Sequence, residues 1–276
     1  MEFEESEEIF DLKETKLMIE CKNFERHSDI ELMKRLIKEN EADLNAQNDN
    51  GQTALMIACE RGLSDIVLLL LGQIGCDINV VDCNGSDALM HFCYQNMDDP
   101  KNFEIVYLFL HHPGQFYDLN RRNNFGTSAL MILCEQSDAD SNYNVIEMFI
   151  KDMICDVNLV DLNGYSALMH LISTNNIGLN YKTIHLFIQT RWIDYSLRNV
   201  SGQSCLYLLC YFQKNPRDKQ EKLIYLFLEN NVPVDKELVY FSFDDIIRKH
   251  IKTELVKKFY VARKKIMREN VVVEIH

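Results

Sequence analysis

The side chains best suited to chemistry in this sequence are nine cysteines and eight histidines. Five of the cysteines occupy one position of a segment that recurs along the chain: Cys21, Cys59, Cys93, Cys134 and Cys210. Neighbouring helices pack about 8–10 Å apart, whereas a disulfide needs Cα atoms within about 7 Å and zinc needs four ligands at about 2.3 Å. The cysteine column therefore predicts a small buried helix residue rather than a metal or redox site.

The histidines form no catalytic pattern. His91 and His170 share one position of the recurring segment, where sister copies carry isoleucine, so we expect them to pack or to line a groove. His111 and His112 have no third ligand at a recognisable spacing. The sequence also has no Ser-His-Asp arrangement, nucleophile elbow, phosphate loop or His-Glu-x-x-His motif. We therefore expect no enzymatic activity, no cofactor and no metal site.

The recurring segment organises most of the chain. Its first clear copy, Gly51–Cys59, reads Gly-Gln-Thr-Ala-Leu-Met-Ile-Ala-Cys, and related segments start at Gly85, Gly126, Gly164 and Gly202. Successive glycines are 34, 41, 38 and 38 positions apart. A period of about 20–50 residues is typical of a solenoid built from stacked repeats. The segment 15–21 is a sixth, degenerate copy, as expected for a unit that caps the start of a stack.

Each repeat shows the same order of local signals. Each unit opens with the tripeptide Asp-φ-Asn, in which the symbol φ stands for any apolar residue. A glycine turn follows, built from Asn, Asp and Gly, which tolerate left-handed backbone. The position two residues after the glycine favours a helix N-cap, and it holds Thr53, Asp87, Ser128, Ser166 and Ser204. The first helix of the second repeat is predicted over about 54–61 and an apolar second helix over 66–71. We expect equivalent second helices to start with Met33, Ile105, Ile146, Ile184 and Leu223.

Five of the six repeats carry five or six extra residues between their two helices. The polar parts of four of these insertions are 97–102, 137–142, 175–180 and 214–219. Because they fall at one point of the repeat, they are predicted to project on the same side of the stack. They either form a functional face or only lengthen helix ends and loops.

Composition limits the classes of protein that fit. A hydrophobic fraction of 47% with only 10 Gly and 4 Pro indicates a folded chain without long linkers. No apolar run approaches the roughly 18 residues of a membrane span, and the acidic start has no features of a secretory signal. With an odd number of cysteines, we expect a reducing compartment, cytoplasmic or nuclear, or the host cytosol for a viral or bacterial effector.

Charge is distributed unevenly. The net charge of −13 disfavours nucleic acid as the main ligand of the repeats. Residues 246–268 nevertheless contain nine Lys or Arg and one Glu, a balance of +8, and an apolar residue recurs every four positions from Ile247 to Phe259. This pattern predicts a helix that closes the end of the solenoid. In an alternative function, its basic face docks on anionic membrane or nucleic acid.

The complete unit resembles the ankyrin repeat. The resemblance is carried by Asp-φ-Asn, the glycine turn, a Thr or Ser before Ala-Leu-Met, the cysteine column and the apolar second helix, and it covers about residues 11–235. Two departures are clear, since the family's Thr-Pro-Leu-His start is replaced and its period of about 33 is exceeded. Methionine stands where the family has histidine, which predicts a softer interior, at Met18, Met56, Met90, Met131 and Met169.

The resemblance implies an all-α fold. It is an ankyrin-type solenoid of six helix–loop–helix repeats with β-turn or hairpin connections and a C-terminal capping helix. The predicted boundaries are an acidic tail (1–10), a degenerate capping repeat (11–42), five repeats (43–76, 77–117, 118–155, 156–193 and 194–235) and a helical cap with a basic face (236–276).

In the ankyrin family, partners usually bind the concave surface formed by the turn tips and the exposed side of the first helices. Leu162 is one of the lining positions here. The resemblance implies a partner-binding set of Gln52, Glu60, Arg61, Tyr94, Gln95, Phe125, Glu135, Gln136, Tyr165, Tyr211 and Phe212. Aromatic residues are the expected anchors, and acids such as Glu60 and Glu135 suggest a protein partner with basic patches. We thus expect a non-enzymatic intracellular protein-binding module that acts as an adaptor or as an inhibitor masking its partner.

Overall fold

The computed structural model describes residues 14–24, 30–39, 44–95, 97, 99–152, 155–174, 180–190, 192–211, 222–224, 226–227 and 230. The chain forms two compact units, Met1–Phe125 and Gly126–His276. The predicted tail (1–10) and C-terminal cap (236–276), including the basic stretch 246–268, lie outside the described residues. The predicted repeat boundaries stay a prediction.

Regular structure in the described residues is helical, apart from two isolated antiparallel bridges, Val81 with Asp87 and Val160 with Ser166. The first unit contains α1 (Lys16–Asn23), α2 (Ile30–Glu39), α3 (Ala54–Glu60), α4 (Ser64–Leu71), α5 (Ala88–Phe92) and α6 (Pro100–Leu110). The second contains α7 (Ala129–Glu135), α8 (Tyr143–Lys151), α9 (Ala167–Ser173), α10 (Tyr181–Gln189) and α11 (Cys205–Tyr211). None of these helices combines the length and apolar character needed to span a bilayer.

The first helices begin where the sequence predicts. The side chains of Thr53, Asp87, Ser128 and Ser166 each accept a hydrogen bond from the backbone N–H three residues later, at 2.9–3.4 Å. Ser204 does the same for Tyr207, at 3.0 Å. Such a cap is typically worth about 1 kcal/mol, so each repeat fixes the start of its own first helix.

Like helices pack on like helices within each unit. In the first unit α3 lies against α1 and α5, and in the second unit α9 lies against α7 and α11. The Leu, Met and Cys columns fill these contacts and are buried, as predicted; the Cys210 side chain lies outside the described residues. The second helices contribute large buried rings, among them Phe109, Phe149 and Phe187. Burying one such ring typically contributes about 1.5–3 kcal/mol.

The asparagine of Asp-φ-Asn fastens neighbouring repeats together. Its amide donates to a backbone carbonyl near the end of its own repeat, from Asn45 to Gly75 at 2.8 Å, from Asn79 to Phe116 at 3.2 Å and from Asn158 to Trp192 at 2.7 Å. In the first and third of these pairs, the asparagine Oδ1 also accepts a backbone N–H from the next repeat. This tripeptide therefore stabilises the stack as well as opening the unit.

Of the four insertions, 137–142 lies within the described residues and 97–102 does except for residue 98, and both contribute to helix starts. Asp99 caps α6 by accepting from Lys101 N–H at 2.8 Å, so the insertion at 97–102 merges into a longer second helix. Asp140 reaches the next repeat, where Oδ1 accepts from Thr183 N–H at 2.8 Å and Oδ2 from Lys182 N–H at 3.2 Å. These two insertions thus lengthen helix ends and loops, and a functional face formed by the insertions stays a prediction.

Candidate partner-binding surface

Close contacts between backbones hold each turn tip in place. In the first unit Cys83 N–H donates to Asn50 O at 3.0 Å and Asn124 N–H to Asn84 O at 2.8 Å. In the second unit Val200 N–H donates to Asn163 O at 2.9 Å. Gly164 has φ +76°, and a Cβ there would lie 2.8 Å from Asn199 Cα. Glycine is therefore required both for the left-handed backbone and for the close approach of the next turn.

Four predicted partner-binding residues of the first unit make polar contacts within or between its own repeats. Gln52 Nε2 donates to Glu60 Oε2 at 2.8 Å, and Gln95 Nε2 donates to the Glu60 carbonyl at 2.7 Å. Arg61 donates to the Phe24 carbonyl at 3.2 Å. In contrast, Tyr94 and Phe125 expose more than half of their surface. The structure thus separates this part of the predicted set into residues with polar contacts within or between repeats and residues with exposed rings.

The predicted residues of the second unit have different surroundings. Glu135 and Gln136 are exposed at the end of α7. Tyr211 is exposed and stacks on Tyr207, with ring centroids 6.1 Å apart. Tyr165 is half-buried, 5.4 Å from the His170 ring. Phe212 lies outside the described residues.

The turn tips of the second unit carry apolar residues. The predicted partner-binding set does not include them. Leu162 and Val200 lie two residues before their turn glycines and are 71% and 75% exposed. The same position holds Asp49, Cys83 and Asn124 in the first unit. The sequence analysis counted Leu162 as a lining position without selecting it and overlooked Val200. Comparing the position two residues before each glycine would have identified both.

A pair of side chains that the sequence analysis missed recurs once in each unit. His91 Nε2 donates to Asp82 Oδ2 at 3.1 Å, and His170 Nε2 donates to Asp161 Oδ2 at the same distance. Both histidines are largely buried and both aspartates almost entirely so. Their interaction with the turn explains why a polar residue is tolerated at a position that sister repeats fill with isoleucine or leucine.

Asp87 is a buried carboxylate at the N-terminus of α5. It accepts from Met90 N–H at 2.9 Å and from the Tyr117 hydroxyl at 3.0 Å, and Arg121 Nε lies 3.9 Å away. Burial raises the pKa of Asp87, and the hydrogen bonds from Met90 and Tyr117 and the Arg121 charge oppose this rise. Sister repeats place a neutral Thr or Ser at this position, so only this repeat buries an ionisable cap among the five compared.

The buried cysteines are held as thiols. Burial raises the pKa of Cys21, Cys76 and Cys155 to about 12 each, and it also raises the pKa of Cys59, Cys93 and Cys134. A thiol is a weak metal ligand and nucleophile compared with its thiolate. Among the described residues, no three His, Cys, Asp or Glu side chains are grouped so that they could hold a metal ion. The cysteine column thus serves packing.

Stacked helix pairs joined by glycine turns, with the turn tips turned outward, define an ankyrin-type repeat protein. The family model for ankyrin repeats (3 copies) matches residues 17–120 and 62–161, which together span 145 of the 276 residues. The chain belongs to the ankyrin repeat family. Ankyrin repeats generally mediate protein–protein interactions, and members of the family are generally non-enzymatic.

Solved structures have the same fold at low sequence identity. The ankyrin repeat domain of Bcl-3, described as a unique member of the IκB protein family, is 20% identical with a TM-score of 0.57, covering 81% of this chain and 88% of that one. An ankyrin repeat domain from Acinetobacter baumannii AYE is 21% identical with a TM-score of 0.61, covering 78% and 97%. A chain from the complex of a predatory endopeptidase of Bdellovibrio bacteriovorus with an immunity protein is 20% identical with a TM-score of 0.54, covering 77% and 98%. No curated protein matches in sequence.

Proposed function

We propose that this chain is a non-enzymatic module that binds another protein through the turn tips and adjoining side chains of its second unit. In this role it acts as an adaptor or as an inhibitor that masks its partner. The binding surface consists of Leu162 and Val200 at the tips, Tyr165 beside them, and the exposed end of α7 at Glu135 and Gln136.

The exposure of Leu162 and Val200 carries this proposal. These two aliphatic side chains lie on neighbouring turns joined by the Val200 N–H to Asn163 O hydrogen bond, and each is more than two-thirds exposed. Water contact with apolar surface costs roughly 25 cal/mol per Å², so a partner that covers both tips gains free energy from their burial. The first unit has Asp49, Cys83 and Asn124 at this position, so an aliphatic side chain two residues before the glycine occurs only in the second unit among the five turns.

Two further observations support the proposal. Exposed Glu135 favours a partner surface with basic residues, because complementary charges speed and orient association. One of the similar solved structures is a complex with an immunity protein. That assembly makes a masking inhibitor a reasonable form of the proposed function for this chain.

A pair of matched variants tests the surface. A photo-crosslinking residue placed at 162 or 200 in the full chain identifies the covered protein, and isothermal titration with that purified protein then measures affinity. We expect Leu162→Glu with Val200→Glu to weaken binding at least tenfold, about 1.4 kcal/mol. The control is Ile74→Glu, which replaces a 99% exposed aliphatic residue of the first unit that is not part of the proposed surface and should leave affinity unchanged. Equal affinities for the double variant and the unmodified chain would reject the surface.

A further inference from the structure

The five glycine turns are of two kinds, distinguished by two positions nine residues apart. Where the turn begins with asparagine, the position nine residues later is apolar: Asn48 with Ile57, Asn123 with Ile132 and Asn199 with Leu208. Where the turn begins with aspartate, that later position is histidine: Asp82 with His91 and Asp161 with His170. The two positions therefore vary together across the chain.

The turn itself does not require this coupling. In four of the five turns, Oδ1 of the Asn or Asp accepts backbone N–H groups two and four residues later, and all these distances are 2.8–3.0 Å. Asparagine and aspartate thus make the same turn. Only the second side-chain atom differs, an Nδ2 donor in asparagine and an Oδ2 acceptor in aspartate.

That second atom determines which side chain the turn holds. Asn48 Nδ2 donates to Gln52 Oε1 at 3.4 Å and Asn199 Nδ2 donates to Gln203 Oε1 at 2.9 Å, so the residue after the glycine is tied to the turn. At Asp161 the acceptor is taken instead by His170 Nε2, at 3.1 Å. The residue after that glycine is Tyr165, one of the predicted anchors.

Asp161 and His170 contact Tyr165 at its backbone and at its ring. Its backbone N–H donates to Asp161 Oδ1 at 2.8 Å, and its carbonyl accepts from Asp161 N–H at 3.0 Å. Its ring lies against the His170 ring, with centroids 5.4 Å apart and planes tilted by 47°. This separation falls within the range of favourable aromatic pairs. Asp161 therefore fixes the backbone of Tyr165 and, through His170, the surface on which its ring rests.

We propose that Asp161 and His170 are positioning residues that hold the Tyr165 ring in the orientation in which it contacts the partner. This inference rests on the proposed function, because it assigns a role to residues beside the same turn tips. Fixing a rotamer before binding lowers the entropy cost of association. The equivalent pair in the first unit, Asp82 with His91, has Ser86 after its glycine and presents no ring there.

Two double variants that copy residues from another repeat of this chain separate a loss of ring positioning from a loss of folding. Asp161→Asn with His170→Ile converts this repeat to the type seen at Asn123 and Ile132, keeping an Oδ1 acceptor for the turn. Asp82→Asn with His91→Ile makes the same change in the first unit. Both double variants should keep the helical circular dichroism and cooperative unfolding of the unmodified chain, so later differences report on Tyr165.

The first measurement needs no partner. Carbon-13 relaxation of tyrosine side chains in the labelled full chain, assigned with Tyr165→Phe, should show Tyr165 as rigid as its backbone. We expect the 161/170 variant to make this side chain mobile and the 82/91 variant to leave it unchanged. His170→Phe, which keeps a ring but has no N–H donor, should restore part of the rigidity relative to His170→Gln. Unchanged mobility of Tyr165 in the 161/170 variant would overturn the proposal.

The second measurement uses the purified protein identified by crosslinking at the turn tips. We expect the 161/170 variant to lose about tenfold in affinity, similar to Tyr165→Ala, and adding Tyr165→Ala to it should cause little further loss. The 82/91 variant should bind normally. If Tyr165→Ala binds normally, the positioning role is rejected even when the Leu162 and Val200 variants still abolish binding. If those tip variants bind normally, the proposed function is rejected instead.

Discussion

At the scale of single residues, Asp87 occupies the same N-cap position as Thr or Ser in the sister repeats, but its side chain is ionisable. The sequence correctly predicts it as an N-cap, because it aligns with Thr53, Ser128, Ser166 and Ser204. Its burial beneath Tyr117 and Arg121 could not be predicted from this alignment, since both partners lie 30 or more residues further along the chain. Only the folded structure shows that the cap is an ionisable group without access to water.

The raised pKa of Asp87 leads to a prediction about pH. A carboxyl whose folded pKa exceeds its unfolded value binds protons more tightly when folded, so stability falls as pH rises through that interval. We expect the unmodified chain to lose stability relative to Asp87→Ser between about pH 4, the ordinary range of aspartate, and the higher pH at which Asp87 ionises. Each unit of pKa difference corresponds to about 1.4 kcal/mol.

Urea unfolding at a series of pH values measures this difference. Asp87→Ser keeps the cap seen in sister repeats, and Asp87→Asn keeps the shape of the side chain without its titration. Both variants should therefore show the same pH-dependent difference from the unmodified chain. A difference that is constant across the pH series would contradict a raised pKa at Asp87.

At the scale of helices, the start of each first helix was predictable and the alignment of the second helices was not. The sequence analysis placed Ile105, Ile146 and Ile184 at one position. Burial instead equates Ile105 with Val145 and Thr183, because the fully buried rings Phe109, Phe149 and Phe187 each follow four residues later. The prediction was wrong by one residue, because two adjacent positions are buried in each of these helices and the hydrophobic pattern alone cannot decide which of the two aligns.

Asp140 provides a prediction for a helix capped by its neighbouring repeat. It accepts from Lys182 N–H, Thr183 N–H and the Thr183 hydroxyl at 3.2, 2.8 and 2.7 Å, so α10 depends on a side chain about 40 residues earlier. Asp140→Ala should lower the free energy of unfolding by about 1–2 kcal/mol, the upper range of cap losses. Hydrogen exchange at the amides of 182 and 183 should also become faster.

Asp140→Asn is the matched control for this change. Asp140 has φ +60°, a left-handed conformation that asparagine tolerates better than alanine. Asparagine also keeps one acceptor oxygen, so it should lose less stability than alanine. Equal stability of the alanine variant and the unmodified chain would show that the cap from the neighbouring repeat contributes nothing measurable.

At the scale of the whole molecule, the repeat plan could be predicted because it depends on local signals that recur. Turns, caps and the buried cysteine column each follow from a few consecutive residues, and five copies reinforce one another. The inter-repeat contacts could not be predicted in the same way. Asn45 with Asp77 and Gln95 with Glu60 join residues 32 and 35 positions apart, and the partner of each side chain depends on how closely neighbouring repeats approach. The coupling of Asp161 with His170 is different, because it joins residues nine positions apart within one repeat, and comparing the five turns would have identified it.

Two glycines of the second unit allow the contribution of this close approach to be measured. Gly164 and Gly202 both have φ +76°, so alanine at either position meets the same left-handed backbone strain, about 1–2 kcal/mol. They differ in their surroundings. A Cβ at 164 would lie 2.8 Å from Asn199 Cα and 3.0 Å from the Arg198 carbonyl oxygen, whereas a Cβ at 202 would have no atom of the described residues within 4 Å.

We therefore expect Gly164→Ala to lower the free energy of unfolding by roughly 1–3 kcal/mol more than Gly202→Ala, the usual cost of overpacking. Urea unfolding of the full chain with each substitution measures the difference. Backbone strain cancels between the two variants, so the remainder reports the contact between the turns at 164 and 199. Equal losses at the two positions would mean that neighbouring turns can separate without cost, and that side-chain contacts such as Asn158 Oδ1 with the Asp194 N–H hold these repeats together instead.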